Sequence, residues 1–463
     1  MHSHQICIIG TGPAGSAIAL KLKQLGFDVL LIGQDEFSRN FKVESLTPGV
    51  FTLLDTIGVK MDSFAAQIIR PDQVFQKWED KTVHPDNLSA LLVDRSKFDK
   101  HIFLAASNLG IKVLQPAKVV FLQEVDRTWE IRLIYKGKHE KIKAEFLVDA
   151  SGRKSVLKGT KKRAAAHTLA ICGSWKNTGL PKSSMMLEST MDHWLWGGTL
   201  PTEIFNATVF LDPDIDLVGG GNVLMNYYTS ALEKAKLFNF CQRGEPVGKI
   251  STFDVTPYYY EKPAGHNFIK VGEANFGLDP LSSQGIQSAI VNAIQGAIVV
   301  NTILSDRRNS MDALEFYKQR QQEIFVNHLE MVSKSYQEAR HWKDHLFWRK
   351  RTRIGPAPIG GWERKASLEV QSEMVQFSDQ SRIAPTTCII NDQVIRRMGL
   401  LHPGLKRPIV FWDNREIDSI LDNIKGIYSI SDLIGKWSEK ISETSSLKLF
   451  DRLREAKVII SAN

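Results

Sequence analysis

The chain has 463 residues, with 59 Lys+Arg against 51 Asp+Glu and a formal charge of +8. That length predicts about two to four domains, and the 43% hydrophobic and 24% charged fractions exclude a disordered or fibrous chain. So mild a surplus of charge does not by itself point to nucleic acid. Cys7, Cys172, Cys241 and Cys388 form no CxxC pair, so neither a metal site nor a disulfide framework is expected and a reducing compartment fits. The apolar run entered at Ile6 leaves no room for a signal peptide, and a cytoplasmic location is expected.

In chain order, residues 5–9 (QICII) read as a buried strand ending at Gly10. Gly10-Thr11-Gly12-Pro13-Ala14-Gly15 follows, then a helical pattern of Ala17, Ala19, Leu20, Leu22 and Leu25. Gly26 closes that helix, and residues 27–32 (FDVLLI) form a second strand. Strand, glycine turn, helix and strand are the context in which GxGxxG binds a dinucleotide. Gly10 makes the tight turn, Gly12 admits a pyrophosphate and Gly15 lets helix and strand approach; with Ala14 these are the candidate phosphate-loop contacts. The helix N-terminus offers N–H groups and a positive dipole end to the phosphates. A ribose-binding acid is expected about 20 residues further on. Here the second strand ends at Gly33, with Asp35 and Glu36 the nearest acids.

Four further elements follow. Glu44-Ser45-Leu46-Thr47-Pro48 precedes Leu53-Leu54 and Ile57-Gly58-Val59. Asp94-Arg95-Ser96-Lys97-Phe98-Asp99 opens a helix, and Val148-Asp149-Ala150-Ser151-Gly152-Arg153 ends a strand. Val271-Gly272-Glu273-Ala274 leads into Leu278-Asp279-Pro280-Leu281-Ser282-Ser283-Gln284-Gly285-Ile286. In this order and spacing, these motifs resemble those of FAD-dependent monooxygenases of the para-hydroxybenzoate hydroxylase type and of the flavin-dependent halogenases. The resemblance implies an α/β, Rossmann-like FAD-binding fold of the glutathione-reductase type with an inserted β-sheet substrate domain. It also implies FAD contacts at Ser45, Arg95, Asp149, Gly272, Glu273, Pro280, Gln284, Gly285 and Ile286. The physics agrees: the apolar helix after Gly285 turns its N-terminus toward an anionic reduced flavin, and the Arg95 guanidinium suits a pyrophosphate or ribityl oxygen. That helix holds Asn292, Gln295 and Asn301 within residues 288–304, too short an apolar run for the roughly 20 residues of a membrane span; no membrane is expected as a partner. Three departures from the family pattern, Gly33, Val43 in place of glycine and Glu273 in place of aspartate, predict a loosely held FAD.

The stretch Asp192-His193-Trp194-Leu195-Trp196-Gly197-Gly198-Thr199-Leu200-Pro201 resembles the halogenases' WxWxIP. In a strand Trp194 and Trp196 share one face, giving an apolar wall that keeps water from a reactive flavin or, equally, a pair of core aromatics. Two features favour a hydroxylase. The halogenase lysine aligns near Asp72 or Gln73, flanked by Arg70 and Lys77, and the halide loop reads Ser282-Ser283-Gln284-Gly285 with an inserted glutamine. A hydroxylase of this family uses reduced FAD and O2, through a flavin C4a-hydroperoxide, on an electron-rich aromatic ring. Candidate catalytic-site residues are Glu44, His193 and Trp196, with Glu273 a further candidate base. Residues 219–221 (GGG) lack the pattern of a nicotinamide site, so a separate flavin reductase is one electron source and transient nicotinamide contact the other.

Residues 309–348 read as one or two long helices, with a basic and aromatic cluster at Trp342, Phe347, Trp348, Arg349, Lys350, Arg351 and Arg353. Residues 355–361 (GPAPIGG) read as a hinge loop. Beyond them a short strand at 409–412, helices at 415–424, 430–440 and 445–456, and a strand at 458–460 suggest a winged-helix-like unit. Asp451 and Glu455 interrupt the charge on its third helix, so docking of a protein or peptide, or equally a structural role, fits better than DNA. The expected domains are FAD-binding (1–60, 90–165, 262–305), substrate (61–89, 166–261), a helical segment with hinge (306–365) and the C-terminal unit (366–463). A docking appendage on such an enzyme is similar to the monooxygenases that hydroxylate a protein-bound tryptophan during quinone-cofactor maturation. A halogenase and a decayed flavin fold serving as a binding scaffold are the alternatives.

Overall fold

A computed structural model describes residues 2–34, 37, 43–62, 64–78, 91–180, 183–199, 203–215, 222–352, 374–421 and 425–462. Asp35, Glu36, Leu200, Pro201, Arg353, residues 219–221 and residues 355–361 lie outside the described residues. The chain forms two compact units, Met1–Asn301 with Tyr317–Gly355, and Thr302–Phe316 with Pro356–Asn463.

In the first unit the β-branched run near the N-terminus becomes the strand His2–Ile9, central in a sheet of eight described strands. It runs parallel to Val29–Ile32, in register Ile6↔Val29 to Ile9↔Ile32, and to Lys138–Asp149, in register Ile9↔Asp149. Gly10 follows at φ +118°, a conformation L side chains rarely adopt. The helix Pro13–Gln24 then starts with proline in its first turn and no side-chain cap on Gly12, so its first N–H groups are left for another acceptor. Parallel β–α–β of this kind is the α/β fold expected.

A second sheet takes the order Glu245–Asp254, Leu169–Lys176, Phe205–Leu211, Trp194–Thr199, Ser184–Ser189, Gln73–Lys77. All its pairs are antiparallel except Ser184–Ser189 with Gln73–Lys77. Phe205–Leu211 is buried at every position, and it covers the helix Asn222–Lys234 through Ala231 and Leu232. The helix Gly285–Ser305 is long and apolar enough to cross a membrane, but Ile290, Ala293, Ala297 and Val300 are fully buried within the protein. It reads as a core helix. The single long helix Ser310–Gln337 follows it.

The second unit has its own core of Val375, Leu433, Trp437, Leu449, Leu453 and Val458. Met374–Phe377 pairs antiparallel with Ile427–Ser429 and Ile459–Ser461, and the helices Ile430–Ser438 and Glu443–Glu455 are capped by Ser429 and Ser442. Two local expectations need correction here. Asp413 and Asn414 sit at positive φ and close a small hairpin, Phe411–Trp412 with Arg415–Glu416, so the helix expected at 415–424 is one turn, Ile417–Ile420. Asn391 and Asp392 close a longer hairpin, Arg382–Ile390 with Gln393–Leu401, that hydrophobic spacing did not show.

Candidate active site

A cavity of about 530 Å³ starts at the glycine turn and reaches the N-terminus of the helix Gly285–Ser305. Gly10, Gly12, Ala14, Ser45, Arg95, Gly272, Glu273, Pro280, Gly285 and Ile286 line it, as do Glu44 and Trp196. Gly15, Asp149, Gln284 and His193 do not. Gly15 acts behind the wall: a Cβ there would lie 1.8 Å from the Gly10 carbonyl oxygen. Gln284 turns its amide to the sulfur of Met331 at 3.8 Å. His193 donates or accepts through Nδ1 with Asp192 at 2.6 Å, away from the cavity lining.

Asp149 shapes the cavity from within. It is fully buried and accepts the N–H groups of Ser151 (3.1 Å) and Leu157 (2.9 Å) and the hydroxyl of Ser155 (2.6 Å). The Lys270 ammonium stands 3.7 Å away, and burial lowers its pKa against the pull of Asp149. Those bonds hold Ala150, Ser151, Gly152 and Arg153 along the cavity. On the far side, Asn292 accepts the Gly272 N–H and is itself bonded to Gln321, so the Gly272 turn is held by a helix rather than by the loop alone.

The cavity's two arginines are paired with three of its carboxylates. Arg95 donates to both oxygens of Asp99 at 3.0 Å and to Glu44. Burial opposes its charge, yet Asp99 and Glu44 raise its proton affinity on balance. Glu273 receives Arg153 at 3.0 Å, and it is half exposed. At the apolar end Trp194 stacks on Phe210 with centroids 3.7 Å apart and planes 9° from parallel, and Trp78 meets its edge at 6.2 Å. Trp194 and Trp196 both line the cavity, as their shared strand face requires. Lys77 lies elsewhere, its Nζ 3.5 Å from the buried Glu188, which also accepts the N–H groups of Lys236 and Leu237. Among the described residues no lysine lines the cavity, nor does Arg70.

Sequence reasoning passed over several lining residues. Gln34 follows Gly33, whose Cβ would clash with Thr11 at 2.5 Å, so no acid fits at the strand end and the next residue faces the cavity. Val119 and Phe210 come from strands with no motif, and only pairing brings them in. Asp279 lies within the Leu278–Ile286 stretch, whose spacing gives it no role by itself. Burial, its largest influence, raises its carboxyl above the ordinary range against the N–H of Leu281, Arg351 and Tyr336.

The cavity fits FAD on its own geometry. A Cβ on Gly12 or Gly285 would meet nothing within 4 Å, so open space lies over both, and uncapped N–H groups face it from the helix at Gly12. Gly12 and its helix would hold the pyrophosphate, Gln34 and Arg95 polar oxygens, and the Gly285 turn the ring system. Residues 3–193 match the FAD binding domain family. The chain is 25% identical over 368 residues to the putative FAD-dependent oxidoreductase LodB of Marinomonas mediterranea, covering 76% of this chain and 97% of that one. It is similar to the structure of QhpG, a peptidyl tryptophan dihydroxylase essential for tryptophylquinone cofactor biogenesis: TM-score 0.78, 20% identity, 98% of this chain and 99% of that chain. It is equally similar to the flavin-dependent halogenase CmlS, with TM-score 0.81, 18% identity, and 99% and 96% covered. Residues 3–193 thus carry an FAD-binding domain, and the chain is an FAD-dependent oxidoreductase similar to the flavin-dependent monooxygenases and halogenases.

Proposed function

We propose that the protein hydroxylates an electron-rich aromatic ring with reduced FAD and O2, and that the ring is a tryptophan side chain carried on a protein or peptide. The observation that favours hydroxylation over halogenation is the position of Lys77. A halogenase needs a cavity-facing lysine, and here Lys77 is turned to Glu188 while no described lysine lines the cavity. Bound, reduced FAD supplies the electrons that activate O2. This chain's own residues do the rest. The free N–H groups of the helix at Gly12 would hold the anionic cofactor, and Arg95, already paired with Glu44 and Asp99, would offer it only its remaining N–H donors. The Trp194–Phe210 stack with Trp196 would exclude water and orient a flat ring. Gly33, Val43 and Glu273 support a loosely held FAD that is reduced elsewhere and then captured.

Two observations support a macromolecular substrate. QhpG, whose fold matches along nearly the whole chain, acts on a peptidyl tryptophan. In the second unit, Gln376 pairs with Ile427 on one side and Ile460 on the other, so these side chains share the outer sheet face with Met374. Ile427 is 55% exposed, an apolar patch suited to the protein that bears the tryptophan. The test supplies chemically reduced FAD, O2 and halide to wild type and Lys77→Ala, with tryptophan-bearing peptides, and reads product mass. Oxygen insertion within about twofold of wild type in the variant supports the hydroxylase. A halogen mass that vanishes in Lys77→Ala overturns it.

A further inference from the structure

A hydroxylase acting on an aromatic ring gains from an acceptor for the ring's N–H or O–H donor, because that hydrogen bond enriches the ring in electrons. The groups weighed from sequence for accepting a proton are committed elsewhere. Glu44 is bound to Arg95, Glu273 to Arg153, and His193 to Asp192 outside the lining.

Asp279 is the carboxyl left in the cavity wall. It is 4% exposed, and among the described residues no cation reaches it at ion-pair distance. Its Oδ1 accepts the Leu281 N–H at 3.0 Å, and the hydroxyl of Tyr336 is shared between Oδ1 at 3.2 Å and Oδ2 at 3.1 Å. A carboxylate can accept about four hydrogen bonds, so Oδ2, with only a shared proton, retains capacity for another donor. The apolar end of the same cavity is lined by Trp194, Phe210 and Leu278. The indole N–H of Trp194 is buried and lies toward Tyr336 without a hydrogen bond of good geometry, so this end of the cavity is polar at its base and apolar on its walls.

We propose that Asp279 accepts a hydrogen bond from the ring N–H or O–H of the aromatic substrate, and so selects indoles and phenols over their N- or O-alkylated counterparts. The inference rests on the aromatic-substrate reading above. The competing role for Asp279 is structural, since its side chain caps the short turn Pro280–Ser282 through Leu281. Asp279→Asn separates the two: the amide oxygen keeps the cap and the volume, but the charge is gone. The experiment measures binding of indole against 1-methylindole, and of phenol against anisole, to FAD-loaded wild type and Asp279→Asn. Wild type should prefer the donor-bearing member of each pair about tenfold, and the variant no more than about twofold. Equal binding of both members by the wild type overturns the assignment without any variant, as does a preference left intact in Asp279→Asn. Binding is read apart from turnover. Oxygen insertion without the preference therefore sinks only this inference, and halogen insertion with the preference intact sinks only the hydroxylase reading.

Discussion

His328 shows how one buried side chain sets a condition for the whole site. Its Nε2 accepts the Asp279 backbone N–H at 3.0 Å, which requires that nitrogen to carry no proton. Burial pushes its pKa from 6.5 down to about 4. The sign follows directly: between those values the unfolded chain binds a proton that the folded chain refuses. Stability is therefore full above 6.5 and falls as the pH drops toward about 4, by up to about 3 kcal/mol. His328→Gln offers an acceptor that does not titrate, so its urea-unfolding free energy should vary less over that window than wild type; parallel curves would remove His328 from the acid response. At this scale the sequence was only partly legible. Glu44, Arg95, Glu273 and Trp196 were named and do line the cavity. Asp279 and His328 could not be singled out, because what distinguishes them is burial and a partner 49 residues away in sequence.

Among elements, the glycine turn was the most legible, because its constraints are local. Strand, turn and helix lie within the first 24 residues, and Gly10 and Gly15 answer to neighbours inside that span or at the adjoining strand end at Ala150, while Gly12 opens onto the cavity. Two substitutions there should behave oppositely. Gly15→Ala drives a Cβ to 1.8 Å from the Gly10 carbonyl and should cost about 3 kcal/mol or more in chemical denaturation, with FAD binding lost as the turn opens. Gly12→Ala meets nothing in the protein, so its unfolding curve should match wild type within about 0.5–1 kcal/mol while flavin titration shows weaker FAD binding. A Gly12→Ala variant with unchanged FAD affinity would place the pyrophosphate elsewhere. The hairpins at 382–401 and 411–416 were less legible. Their turns are Asn-Asp and Asp-Asn pairs at positive φ, a weaker signal than a glycine pair.

For the whole molecule, two units with separate cores define what can be perturbed independently. Every described residue lining the cavity belongs to the first unit. Leu449 is fully buried in the core of the second. Leu449→Ala should destabilise that unit by about 2–5 kcal/mol, seen as an earlier thermal transition, and leave FAD affinity unchanged; a parallel loss of flavin binding would contradict the separation.

The sequence by itself determined the α/β flavin-binding fold and the turns that line the cavity, because those depend on glycine spacing, strand-to-helix punctuation and motif order along short stretches of chain. It also determined that Trp194 and Trp196 would share one wall, since a strand repeats its face every second residue. Only the tertiary structure decided which charges remain available to a substrate. Pairing Lys77 with Glu188, Arg95 with Glu44 and Asp99, and Arg153 with Glu273 joins residues 4 to 120 apart in sequence. Once those pairs form, Asp279 is left as the cavity carboxyl with no cation at ion-pair distance among the described residues, a property that exists only after the chain has folded around it.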